Sequence, residues 1–276
     1  PGALIQSELE ADRQQINSGF VGDFTNTDVA VQRLGLRHGF SDNWSLEAEV
    51  TNRKVDQDVR QSFRDFPSPD TGWSNRDLVS VNPRLIGSFS SAHGEVLLTI
   101  GVDRENSEYS LYLPFDFFGP GFTQQNNDQD VTSAYAQIVY PFTDKLAVTA
   151  GVRNAELDSD ISDTSSYNFV PLNLNVEDSV TVAELGVRYK ISENGAFVLR
   201  RDENYRFAKI NEYTLVTPGD LLKTQEGVSW EMGYQGRIDR TSYEIQLYRM
   251  EVENEFFFDP TIGLFGANAV SYTHLR

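Results

Sequence analysis

Arg60, Arg64 and Arg76, and the aromatic group Tyr109, Tyr112, Phe115, Phe117, Phe118 and Phe122, are the residues whose types and clustering suit ligand chemistry. Guanidinium groups form planar, charge-assisted hydrogen bonds with anions, so the arginines suit a bulky anionic complex. Aromatic rings add large apolar faces to the same guest. Both sets fall in long, turn-rich connections, where recognition residues concentrate. Each set also has a plainer use, since arginines solvate loops and rings pack into small loop cores.

Catalytic arrangements mostly fail on spacing, although composition alone leaves a Ser-His-Asp triad open. His38, His93 and His274 lie far apart, and no His-x-x-x-His or other zinc spacing occurs. No Gly-x-Ser-x-Gly elbow is present. The lack of cysteine excludes thiolate nucleophiles, thiolate metal sites and disulfides together. With 41 acidic residues, a glycosidase-like carboxylate pair arises by chance. The expectation is a protein that is not an enzyme, with no catalytic set, cofactor or metal site. Asp158, Asp160 and Asp163, or Asn126, Asp128 and Asp130, offer oxygen ligands for a hard cation. Neither fits an EF-hand, because Asp163 or Val131 stands where glycine is needed and Phe169 or Gln137 where the closing glutamate belongs. They read as solvated loops, with weak calcium binding or cation bridging to lipopolysaccharide as the alternative.

The charge balance sets a further limit. Net charge −18 argues against nucleic acid, which needs surfaces rich in lysine and arginine. No run of about eighteen apolar residues exists for a transmembrane helix, and the N-terminus lacks the zones of a signal peptide.

These residues need elements to hold them, and the pattern from Ser133 to Arg153 shows which. Ala134, Ala136, Ile138 and Tyr140 share one face, Tyr135 and Gln137 the other. After the turn Phe142-Thr143-Asp144-Lys145, Leu146, Val148, Ala150 and Val152 form an apolar row opposite Thr149, Gly151 and Arg153. Short turns at Ser41–Asn43, Ser91–Gly94, Thr143–Lys145, Ser192–Gly195 and Ile238–Arg240 recur roughly every fifty residues. With a first strand near Ala3 to Ile16, the count is about eleven strands and no helix. Between the hairpins, residues 55–76, 106–130, 156–178 and 207–224 carry turn chemistry and little periodicity.

Very short connections alternating with very long ones, and strands of ten or more residues, predict an all-β antiparallel transmembrane barrel. About 9 to 11 tilted residues cross a bilayer, with an apolar outer band and a polar lumen. Aromatics near the short turns, Phe40, Trp44, Tyr140, Phe142, Tyr189 and Phe197, fit an interfacial girdle. A passive porin and a soluble carbohydrate-binding or hydrolytic β-protein are the alternatives.

AYAQIVYPFTDKLAVTAGVR resembles the strand pair of TonB-dependent outer-membrane receptors through Tyr135, Gln137, Thr143, Leu146, Gly151 and Arg153. Arg206 to Glu212 resembles the family's Arg-x-Pro-x-x-x-Glu segment, with Ala208 in place of proline. Glu226, Glu231, Gly233 and Tyr234 match the next strand, and Tyr248, Arg249, Met250, Asn254 and Glu255 the one after. Asn268 and Thr273 follow in order, although His274-Leu275 replaces an arginine pair.

The resemblance implies a siderophore-receptor type of wall in the outer membrane of a Gram-negative cell. It implies TonB-energised uptake of a ferric siderophore or similar bulky nutrient, with outer-membrane lipid and lipopolysaccharide as further partners. The family barrel has twenty-two strands, so residues 1–276 are expected to form an incomplete barrel, an open curled sheet, in a chain without plug domain or signal peptide.

Overall fold

The structure, a computed structural model, describes residues 6–13, 22–62, 70–115, 121–165, 172–213, 222–259 and 264–275. Its strands are β1 (Phe24–Gly39), β2 (Trp44–Arg60), β3 (Gly72–Val81), β4 (Arg84–Ser91), β5 (Gly94–Phe115) and β6 (Gly121–Pro141). They continue as β7 (Leu146–Ser165), β8 (Leu172–Ser192), β9 (Gly195–Arg206), β10 (Gln225–Ile238), β11 (Thr241–Asp259) and β12 (Leu264–Leu275). Two short helices are α1 (Gln6–Ala11) and α2 (Ile210–Tyr213).

All pairings run antiparallel between strands adjacent in the order, with β1 and β12 at the two edges of the sheet. β3 and β4 are one stave interrupted at Asn82-Pro83, because Pro83 has no N–H to donate. The register does not shift across the break: Val81 faces Val50 and Arg84 faces Glu47 on β2, while Val81 faces Arg104 and Arg84 faces Gly101 on β5. The Asn82 amide still donates to the Glu49 carbonyl at 2.9 Å, and the Pro83 carbonyl accepts from Val102 at 3.1 Å. The twelve assigned strands therefore make eleven staves, the number the periodicity predicts.

The expected strand near Ala3 to Ile16 is not there: Gln6–Ala11 is helical, and residues 3–5 and 14–16 lie outside the described set. Gln-Ser-Glu-Leu-Glu-Ala lacks alternation, and Gln6 Nε2 donates to Glu10 Oε1 at 2.8 Å across one helical turn. Most of the segments read as turn chemistry are also strand. β5 is 22 residues long and β8 is 21, against the about 10 that cross a bilayer. The additional length rises as tall hairpins beyond the apolar band.

Which face is apolar changes along these tall strands. On β7 the even row Leu146 to Val152 is apolar, and Val152 is 50% exposed, but farther up the buried apolar residues are odd: Ala155, Leu157 and Ile161. On β8, Leu185 is 52% exposed on the odd row, while Val176, Val180 and Val182 are buried on the even one. The lower outer face thus shows Leu34, Leu185, Met232 and Ile245 more than half exposed, which a soluble β-protein would cover. Its lower rim carries contacting rings, Trp44 on Phe89 at 5.4 Å, Tyr140 on Phe142 at 4.8 Å and Phe197 on Tyr234 at 5.0 Å. The buried core lies on the inner face of the upper half, where Leu157, Ile161 and Val176 meet Ala208, Ile210, Tyr213 and Leu222.

Candidate functional site

The lower inner face is a belt of paired charges built from the motif residues. Tyr135 on β6 lies across Gly101 on β5, where a Cβ would collide with its ring. Arg153 stacks on Tyr135 with its guanidinium 4.6 Å from the ring centroid and reaches Asp103 at 2.9 Å. Asn82 donates to the same aspartate at 3.0 Å. Gln137 donates to Glu184 across Gly151, whose missing side chain leaves the room. Glu184 also holds Arg200 at 3.3 Å, and Glu47 is shared by Arg37 and Arg84 at 2.5 Å each. Gln246 donates to Glu231 at 3.1 Å. A cavity of about 610 Å³ opens along this belt, lined by Tyr135, Gln137, Arg153, Glu184 and Arg200 among others.

Above the belt the predicted ligand residues divide. Arg76 and Tyr109 are cross-strand partners on the inner face, the guanidinium 5.3 Å from the ring centroid. Burial pushes the Tyr109 phenol above its usual range, an effect Arg76 opposes. Tyr112 and Phe122 instead stand on the outer face in a row with Trp73, at 6.3 and 5.8 Å between ring centroids. Arg60 falls on the outer row of β2 with Lys54, the alternation turning it away from Arg76. Phe115 ends β5, while Arg64, Phe117 and Phe118 lie outside the described residues. Period-two alternation explains the division: Tyr109 and Tyr112 have opposite parity on one strand.

The described parts of the β9–β10 connection, residues 207–213 and 222–224, pack inward as a strap on this inner face. Both terminal nitrogens of Arg206 donate to Glu212, each at 2.9 Å, and Glu212 accepts the Lys209 amide at 2.7 Å. Arg206 also covers the Phe256 ring at 4.4 Å. Ala208, in the motif's proline position, is buried in the core. At the far end Asp178 accepts both the amide (3.2 Å) and the hydroxyl of Thr224. Asn254 donates to the Thr224 carbonyl at 3.2 Å from a β-bulge where its φ is 53°, a left-handed conformation asparagine tolerates. Burial, with Asp178 and Glu212 nearby, pushes the Tyr213 phenol up to about 12. Asp178, Tyr213 and Thr224 escape sequence reasoning. The signal available for Asp178 was its place among the inward valines of β8.

Asp163 is a further buried inner-face group. Its carboxyl is held above the usual range by burial, against a Gln125 hydrogen bond, and one oxygen has no partner. Folding therefore favours the protonated acid, and stability falls as pH rises from the unfolded value through the raised folded one. Asp163→Asn, which cannot ionise, is expected to gain on the wild type between acid and neutral pH in urea unfolding, with equal midpoints at the acid end.

Among the described residues no group of three or more His, Asp or Glu side chains is arranged to hold a metal ion. Asp158 and Asp160 point outward and Asp163 inward, so that trio does not converge. Asn126 and Asp128 join a cross-strand ladder with Ser110 (3.0 Å) and Asn106 (3.4 Å), and Arg104 reaches Asp130 at 3.4 Å.

The family model described as TonB dependent receptor-like, beta-barrel, matches residues 7–274. No curated protein matches the chain significantly. Among solved structures, the ferric yersiniabactin uptake receptor FyuA from Yersinia pestis superposes with a TM-score of 0.77 at 14% identity, over 92% of this chain and 39% of that one. The ferric citrate transporter FecA gives 0.78 at 13%, over 100% and 42%, and the siderophore receptor PiuA from Acinetobacter baumannii 0.74 at 12%, over 91% and 44%. The chain spans less than half the length of each.

Proposed function

The chain belongs to the TonB-dependent receptor β-barrel family, and on that premise we propose that it forms part of the wall of an outer-membrane receptor that takes up a ferric siderophore. The observation that carries this is the two-sidedness of the sheet. The outer row is apolar and exposed, and the inner face is lined at the same height by linked arginines, carboxylates and amides. Such a wall turns hydrocarbon-compatible groups to lipid and leaves a polar passage inside. Structural neighbours named as a ferric yersiniabactin uptake receptor, a pyoverdine outer membrane receptor and a ferric citrate transporter support an iron chelate as cargo. In this reading energy arrives from TonB through a plug fitted against the polar belt, and the outer face meets lipid and lipopolysaccharide. The protein transports and does not catalyse.

Arg76 and Tyr109 are the residues assigned to the cargo, because they are cross-strand partners on the inner face with the guanidinium over the ring. In the complete receptor, Arg76→Gln with Tyr109→Ala is expected to weaken ferric-siderophore binding by about tenfold or more, the scale of one charge-assisted hydrogen bond and one ring contact. Arg60→Gln, on the outer face, serves as the control. Fluorescence titration with a panel of ferric catecholates, hydroxamates and citrate reads both. Equal losses from the two variants, or binding of no iron chelate by the wild type, would count against the assignment.

A further inference from the structure

One constellation on the outer face is left unused by transport through the lumen. Arg201 of β9, Trp230 of β10 and Arg249 of β11 stand in a single cross-strand row. Neighbouring strands are about 4.8 Å apart, so the two arginine stems leave the sheet about 10 Å apart with an indole between them. The Arg201 guanidinium lies 5.7 Å from the Trp230 ring centroid.

The rows on either side define the height. Below, on the same face, Leu199, Met232 and Leu247 are aligned and 46%, 55% and 42% exposed, the uppermost apolar row of these strands. Above, Glu203, Val228 and Glu251 are aligned, with Glu203 holding Arg201 at 2.8 Å and Glu251 holding Arg249. The arginine row therefore sits at the line where hydrocarbon gives way to headgroups, the depth at which tryptophan is enriched. A guanidinium carries five donors in a planar fork, and one carboxylate occupies at most two of them. Each arginine keeps donors for a second acceptor. Farther up, the outer face is crowded with Asp128, Asp130, Asp158, Asp160 and Glu177, which repel anions. A phosphate meets cationic donors on both sides of one indole at this row.

We propose that Arg201, Trp230 and Arg249 bind the phosphate of an outer-leaflet lipid headgroup. The two guanidinium groups supply charge-assisted hydrogen bonds to its oxygens, Trp230 packs against the adjoining headgroup and acyl region, and Leu199, Met232 and Leu247 take the chains below. Arginine suits this position better than lysine because its fork matches phosphate geometry and its charge is more weakly hydrated. The site rests on the outer-membrane reading and needs nothing from the identity of the cargo.

The test uses the complete receptor in phosphatidylcholine nanodiscs doped with bisphosphorylated lipid A or with its dephosphorylated form, read by native mass spectrometry, with and without millimolar inorganic phosphate. The wild type is expected to retain the phosphorylated lipid about tenfold more than the dephosphorylated one, as lost charge-assisted hydrogen bonds imply. Arg201→Gln with Arg249→Gln should erase that preference. Glu251→Gln, which removes a competing carboxylate, should strengthen it. Equal retention of the two lipids, or an unchanged preference in the double variant, overturns the site. Displacement of the lipid by inorganic phosphate makes it a free-anion site and overturns the lipid assignment. Failure of the wild type to insert into discs, seen separately as loss of heat-modifiable mobility, overturns the membrane reading and this site with it.

Discussion

Glu212→Ala is expected to release the strap from the inner face and to cost about 3 kcal/mol of stability, the lower end of the range for breaking a buried ion pair. Glu212 is 8% exposed and accepts three hydrogen bonds, two from Arg206 and one from the Lys209 amide. Removing it leaves a guanidinium and a backbone N–H in a site that water reaches poorly. The lower figure applies because the Arg206 side chain is 35% exposed and can recover some hydration. Replacing the pair together, Arg206→Met with Glu212→Met, should recover most of the loss, since an apolar pair of similar volume removes the unpaired charge. Hydrogen exchange over residues 207–213 and 222–224 and urea unfolding in bilayers read the two effects. Slow exchange retained in the alanine variant would show that the apolar contacts of Ile210, Tyr213 and Leu222 hold the strap without the ion pair.

The hairpins are legible in the sequence because period-two alternation between lipid and water is a strong constraint, and Leu146 to Val152 states it directly. The upper halves of the same strands are harder to read. In AELDSDISD, from Ala155 to Asp163, the alternation continues with its phase moved by one: Ala155, Leu157 and Ile161 are buried inward against the strap, and Asp158 and Asp160 face water outward. Above the bilayer the outer face meets water, so the apolar row moves inside. The aspartates and serines between read as turn chemistry when the change of phase is overlooked. The ligand candidates suffer from the same omission. Arg60 and Arg76, or Tyr109 and Tyr112, look like clusters along the chain until strand parity sends their members to opposite faces. The strap anchors were hidden for another reason: Asp178 and Thr224 meet across a sequence separation of 46 residues, which no local pattern encodes.

Val148→Arg and Thr149→Arg are neighbouring substitutions with opposite expected outcomes, and together they test which face meets lipid. Val148 faces Tyr140 on β6 and Val187 on β8, inside the apolar row that ends upward at Val152. An arginine there must desolvate its charge in hydrocarbon or bend its stem toward an interface, at a cost of about 2 to 4 kcal/mol near the bilayer midplane. Thr149 points the other way, toward Gly186 and the polar belt, and an arginine there can project into the water-filled side. Its cost should stay near the about 0.5 kcal/mol typical of surface changes. Equilibrium unfolding in phosphatidylcholine vesicles measures both. The sign of the difference matters more than its size, because both changes add the same side chain to the same strand, and only the face differs. If Thr149→Arg proves the costlier, the sheet is inside out, with Leu146, Val148, Ala150 and Val152 packed against protein and the charged belt of Arg153, Glu184 and Arg200 turned outward.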